Sequence, residues 1–198
     1  APHKQLPLDS PSPEQRLEML RIALKGTEGL EASDLELKRE GVSYTYQTVA
    51  QVRDMYPGAQ LYLLMGTDMF LSFHQWRNPE RIWEHAVLAV FCRGEKGEKA
   101  SIAKQKTYLE SLGARVELVD NPVLTISSSD LRRMIVFRCA DPFLPDGVGD
   151  YIREHGFYGA GRNYRNLPME ELEPVVTGLL KKSRVNHVLG CRDTAVEL

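Results

Sequence analysis

Cysteine is scarce in this 198-residue sequence, and Cys92, Cys139 and Cys191 stand far apart without a Cys-x-x-Cys pair. That argues against a disulfide framework and a cysteine-built zinc site, and it suits a protein kept in a reducing cytoplasm. Long hydrophobic runs are also missing. No apolar stretch approaches the roughly 18 residues a membrane span needs, and no signal-peptide profile opens the chain. Charge of one sign is absent as well: 25 Lys and Arg against 27 Asp and Glu leave a net charge of −2. Nothing in that balance calls for nucleic acid as a bulk electrostatic partner.

What is present is a hydrophobic share of 42%, enough for a core, in a length that suits one ordinary domain or one domain plus a fragment of another. Leu61 to Met65 is an unbroken apolar run, as in a strand buried on both faces of a parallel sheet. Gly66-Thr67-Asp68 follows, and helical spacing resumes with Phe70 and Phe73. Ligands of open α/β sheets sit at the carboxyl ends of strands, so Gly66 and Asp68 are placed to meet one. Asp68 can equally cap the following helix.

Upstream, Ser12-Pro13-Glu14-Gln15 reads as a capping box opening a helix with Leu17, Leu20, Ala23 and Leu24. Leu35 to Leu37 is a short strand candidate, and a helix is expected from Tyr46 to Met55 with Ser43 or Thr45 as cap. Downstream, Asn78-Pro79 starts a helix through Ile82 and Trp83, and Ala86 to Cys92 is a second continuous apolar strand. Glu95 to Lys99 reads as a solvated charged loop, followed by a helix over residues 100–112 and a strand over Val116 to Val119. Strands alternating with helices predict an α/β fold, a Rossmann-like doubly wound parallel sheet.

Ser127-Ser128-Ser129 then runs into a helix start with Arg132 one turn on. Hydroxyls and unpaired backbone N–H groups converging at a positive helix end outline an anion site. An over-provided helix cap with surface arginines is the alternative. A helix is expected near Gly147 to Glu154, a Gly-rich linker follows, and after Pro168 comes an amphipathic helix with Leu172, Val175, Val176, Leu179 and Leu180. A last helical rhythm runs from Val185 to Leu198.

Ser43-Tyr44-Thr45, the strand ending Gly66-Thr67-Asp68 with Trp76 beyond it, and Ile126-Ser127-Ser128-Ser129-Asp130-Leu131-Arg132 occur in that order, with His3-Lys4 before them and His155-Gly156-Phe157-Tyr158-Gly159 after. Together they resemble the bacterial nicotinate-nucleotide adenylyltransferases over residues 1–159. The resemblance implies a nucleotidyltransferase-superfamily fold that joins nicotinate mononucleotide to the AMP moiety of ATP, giving deamido-NAD and pyrophosphate, with Mg²⁺ entering on ATP. It implies that Gly66, Asp68, Ser127, Ser128, Ser129 and Arg132 bind ATP. Lys4, Tyr44, Thr45 and Trp76 would bind the mononucleotide, with Trp76 stacked on the pyridine ring. For Trp76 a purely core indole is the alternative.

One departure from the family is that none of His3, His74, His85, His155 or His187 stands in the His-x-Gly-His motif. The chain opens on Ala1 rather than Met, so the expectation is that the segment bearing that motif is missing and that this polypeptide has little or no transferase activity. Residues 160–167 read as a linker and residues 168–198 as the truncated start of another domain. Arg184 to Gly190, with Thr194 and Ala195, is similar to the opening of HD-type phosphohydrolases, which would make His187 a metal ligand. The alternatives are an adenylyltransferase acting on another phosphate acceptor, such as phosphopantetheine, or a nucleotide-binding fragment without catalysis.

Overall fold

The structure is a computed structural model and describes residues 10–92, 94, 97–120, 122, 126–136, 139–161, 168–180 and 182–197. Lys4, with the His3-Lys4 dipeptide, and residues 162–167 of the expected linker over 160–167 lie outside those residues. The chain forms two compact units, one over Glu31–Ile126 and the other joining Gln5–Leu30 to Ser127–Leu198.

In the first unit, α2 (Thr45–Met55) precedes β1 (Leu61–Gly66), which passes directly into α3 (Thr67–Leu71). A 3₁₀ turn at Phe73–Gln75 and α4 (Glu80–Trp83) lead to β2 (Ala86–Phe91). Then come α5 (Glu98–Ser111) and β3 (Val116–Val119). The three strands form a parallel sheet in the order β1-β2-β3, with Leu61 opposite Ala86, Gly66 opposite Phe91 and Leu88 opposite Val116. Parallel strands joined through helices are the βαβ arrangement expected from the alternation of elements.

β2 is central and buried from Ala86 to Val90. β1 departs from the reading of a strand buried on both faces. Leu61, Leu63 and Met65 turn to the core, whereas Tyr62 and Leu64 are 48% and 64% exposed. Side chains alternate across a strand, so Tyr62 and Leu64 share its second face, which stays open to solvent. Its core partners are Phe70, Phe73, Ile82, Leu88, Val90, Ile102 and Leu109, with Trp76 and Trp83 packed at the margin.

Leu35 to Leu37 is not a strand. The backbone N–H groups of Leu37 and Lys38 both donate to the Asp34 carbonyl, which closes a turn. Side chains then tie that turn to α2: the Thr48 hydroxyl donates to Glu36 at 2.7 Å, and Arg39 donates to Thr48 and to Gln51. Local polar bonds of this kind outcompete a three-residue apolar alternation.

In the second unit, α1 (Pro13–Ala23) carries the expected capping box, with the Gln15 amide donating to Ser12 Oγ and the Ser12 amide to Gln15 Oε1. Only Leu17 of its apolar face is buried, and Leu20 is 54% exposed. α6 (Ser128–Val136), α7 (Val148–Glu154) and a 3₁₀ turn at Phe157–Gly159, with Ala160 just after it, supply Ile135, Val148, Ile152, Phe157 and Ala160 to a second core, against which Met19 and Ile22 of α1 pack. Ala160, read as linker, is therefore core. α8 (Met169–Leu179) and α9 (Lys182–Glu197) complete the described chain, and none of their described residues is fully buried. Among the described residues no helix is long and apolar enough to cross a membrane.

Candidate functional site

The first unit presents the turn expected at a strand end. β1 finishes at Gly66, and α3 begins at Thr67 with Gly66 in the cap position and no side chain capping it. Asp68 lies in the first turn of α3, exposed, and is not the cap. Its carbonyl accepts from the Ser72 hydroxyl at 3.0 Å. The carboxylate therefore stands at the carboxyl end of a parallel strand, where α/β sheets meet ligands.

Trp76 follows the 3₁₀ turn with its indole half-buried, tilted against Phe73 at a centroid distance of 5.1 Å. The core thus holds one side of the indole through Phe73 and leaves part of the ring uncovered. Tyr44 immediately precedes α2 and Thr45 opens it, both half-buried. The cap of α2 is neither Ser43 nor Thr45: Gln47 Oε1 accepts from the Tyr44 amide at 3.2 Å, while the Ser43 hydroxyl is turned to the Glu36 carbonyl.

Arg77 is the residue that sequence reading missed. Its guanidinium lies 4.7 Å from the Tyr44 ring centroid and donates to the Tyr44 hydroxyl at 3.1 Å. Trp76 and Tyr44, widely separated in sequence, are linked through this neighbour of Trp76. Local spacing carries no sign of it, because the partners are 33 residues apart.

In the second unit the serine run divides by role. Ser127 caps α6: its hydroxyl donates to Asp130 Oδ2 at 2.5 Å and accepts from the Asp130 amide at 3.0 Å, while its own amide reaches the same carboxylate. Its hydroxyl is engaged with the helix end in this structure. Ser128 and Ser129 are exposed in the first turn, where backbone N–H groups lack helical partners. Arg133 pairs with Asp130. Arg132 is exposed and rests over the Tyr158 ring at 5.6 Å. The two arginines are thus sorted, one to a carboxylate and one to an aromatic face.

The hydroxyl of Ser127, and then Arg133, hold the Asp130 carboxyl below its usual value. A carboxyl depressed on folding stabilises the folded state above its unfolded value, near pH 4, and that contribution is lost as pH falls through the lower folded value. Acid titration followed by circular dichroism should show α6 loosening below about pH 4, and Asp130→Asn should remove that part of the acid transition. An unchanged titration in the variant would contradict the assignment.

His187 is exposed on α9, with Nε2 3.8 Å from Cys191 Sγ. Among the described residues no group of three His, Cys, Asp or Glu side chains gathers where a metal could be held. The second unit also has a depression of about 200 Å³ between Asp141 and Arg153, and none of the expected site residues lines it.

A family model described as cytidylyltransferase-like matches residues 1–134, and the chain belongs to that family. Among its relatives, a protein of Rhodopirellula baltica is 40% identical over 128 residues, which are 63% of this chain and 59% of the relative. One of Oceanobacillus iheyensis is 32% identical over 163 residues, covering 82% of this chain and 78% of the relative. Both are named probable nicotinate-nucleotide adenylyltransferase, and the chain belongs with them in that family. A solved structure of Plasmodium falciparum nicotinic acid mononucleotide adenylyltransferase complexed with NaAD superposes with a TM-score of 0.59 at 20% identity, covering 78% of this chain and 76% of that one. The same enzyme complexed with APC gives a TM-score of 0.57. These likenesses show a nucleotidyltransferase fold.

Proposed function

We propose that this chain carries the substrate pocket of an enzyme that joins nicotinate mononucleotide to the AMP moiety of ATP. In that reaction a 5′-phosphate oxygen of the mononucleotide forms a bond to the α-phosphorus of ATP. The bond from that phosphorus to the bridging oxygen breaks, and pyrophosphate leaves, giving deamido-NAD. No covalent intermediate on the protein is needed, so its work is to align the two phosphates and to offset charge on the leaving group. Mg²⁺ arrives as part of the ATP substrate.

The observation that carries the reading is the Gly66-Thr67-Asp68 turn at the carboxyl end of β1, with Asp68 exposed beyond it. On this reading Gly66 and Asp68 meet the nucleotide, and Ser128, Ser129 and Arg132 hold ATP phosphates at the start of α6. Ser127 acts there by fixing the helix end, since its hydroxyl is already used. Trp76 stacks on the pyridine ring, and Tyr44 and Thr45 line that side. Tryptophan fluorescence tests this: nicotinate mononucleotide should quench it saturably, and Trp76→Phe should abolish the quenching. Quenching that survives the substitution would place the base elsewhere.

Arg77 adds the charge that separates two neighbouring substrates. Its guanidinium, held at Tyr44, matches a pyridine carboxylate bidentately and gains less from a neutral carboxamide, which offers one uncharged acceptor. Arg77→Gln should weaken nicotinate mononucleotide about tenfold and nicotinamide mononucleotide markedly less. Equal loss for both ligands would reduce Arg77 to a support for Tyr44.

A further inference from the structure

Thr67 and Glu98 are the two buried polar or charged residues of the described chain, each 7% exposed, and they touch each other. The charged run around Glu98 reads as solvated loop, yet α5 begins at Glu98 and turns its carboxylate inward. Gly97, in the left-handed region at φ 82°, makes that turn into the helix. The carboxylate accepts from the Gly94 amide at 2.7 Å and from the Thr67 hydroxyl. Gly94 follows β2, and Thr67 follows β1, whose last residue, Gly66, is paired with Phe91. One carboxylate thus binds the ends of two adjacent strands.

Capping α5 does not account for this arrangement. An exposed Glu in the first turn would serve the helix dipole as well, without the burial. What burial adds is the bond to a residue 31 positions earlier, standing between Gly66 and Asp68.

We infer that Glu98 is a positioning residue: through Thr67 it fixes the turn that carries Gly66 and Asp68, and through Gly94 it locks the neighbouring strand-end loop to that turn. The inference rests on the reading that this turn meets the nucleotide. It makes Thr67 a tether whose hydroxyl, rather than its bulk, matters. A turn already held in its binding geometry has less freedom to lose when ATP arrives.

The test uses calorimetric titration of the full chain with ATP and, separately, nicotinate mononucleotide. Glu98→Ala and Thr67→Val should each weaken ATP about tenfold or more, leave the mononucleotide unchanged, and Thr67→Ser should restore ATP binding. A parallel loss of both ligands, or Thr67→Val behaving as wild type, would overturn the inference. Amide exchange separates it from the nucleotide reading beneath it. In Glu98→Ala the amides of Thr67, Asp68 and Gly94 should exchange faster while those of Leu88 and Val90 stay protected, whether or not the wild type binds ATP. Unchanged exchange at Thr67 and Asp68 would overturn the tether itself, whereas wild type failing to bind ATP with the tether intact would overturn its nucleotide role.

Discussion

Replacing Phe73 with alanine should destabilise the first unit by about 3–5 kcal/mol, the usual cost of emptying a fully buried aromatic site. Phe73 is wholly buried. Its ring meets Trp76 at 5.1 Å and Trp83 at 6.2 Å, so the cavity would open beneath both indoles. The core there is close-packed by Phe70, Ile82 and Leu88, whose backbones belong to α3, α4 and β2, and cannot collapse inward cheaply. Thermal unfolding should shift down by roughly 10 °C. A second consequence follows for binding: with its support gone, Trp76 loses its fixed face, and nicotinate mononucleotide should quench it less. Phe73→Leu, which keeps most of the volume, should lose less stability. A Phe73→Ala protein that melts as wild type would refute the packing described for this unit.

Arg132 and Arg133 should behave as opposites although they are adjacent. Arg132→Ala should weaken ATP by about ten- to a hundredfold, the value of a charge-assisted contact to phosphate. Arg132 lies over Tyr158 and has no carboxylate partner among the described residues, while Arg133 pairs with Asp130. Arg133→Ala should therefore touch helix stability and leave ATP affinity within about threefold. Arg132→Lys should recover only part of the loss, because an ammonium keeps the charge and loses the planar fork. Equal effects of the two alanine variants on ATP would show that the helix end, rather than Arg132, carries the interaction.

Much of the fold was readable where a local signal and the tertiary outcome agree. Ala86 to Phe91 is apolar at every position, and it became the central strand, buried throughout its first five residues. Ser12 to Gln15 carried its own capping chemistry, and that box formed. Leu61 to Met65 has the same all-apolar character, yet Tyr62 and Leu64 stay exposed, because what packs on each face is decided by the tertiary fold and not by the run itself. Leu35 to Leu37 failed as a strand because Asp34, Glu36 and Arg39 satisfied the backbone and α2 instead.

The candidate site divides along the same line. Gly66, Asp68 and the serine run are nominated by strand ends and helix starts, which are local, and Trp76 by the family resemblance. Glu98 and Arg77 could not, since their meaning lies in Thr67 and Tyr44, more than thirty positions away in each case. A charged run predicts solvent on average, and only the fold selects which carboxylate is drawn in. Ser127 shows the converse: its hydroxyl reads as a phosphate ligand and as a cap, and the structure shows the cap bond to Asp130.

The most direct measurement of the central claim is a set of calorimetric titrations of the full chain with ATP, nicotinate mononucleotide and phosphopantetheine. The proposed function predicts saturable binding of ATP and of nicotinate mononucleotide at one site each, and none of phosphopantetheine. Binding of phosphopantetheine without the mononucleotide would assign the chain to a different phosphate acceptor and contradict the account.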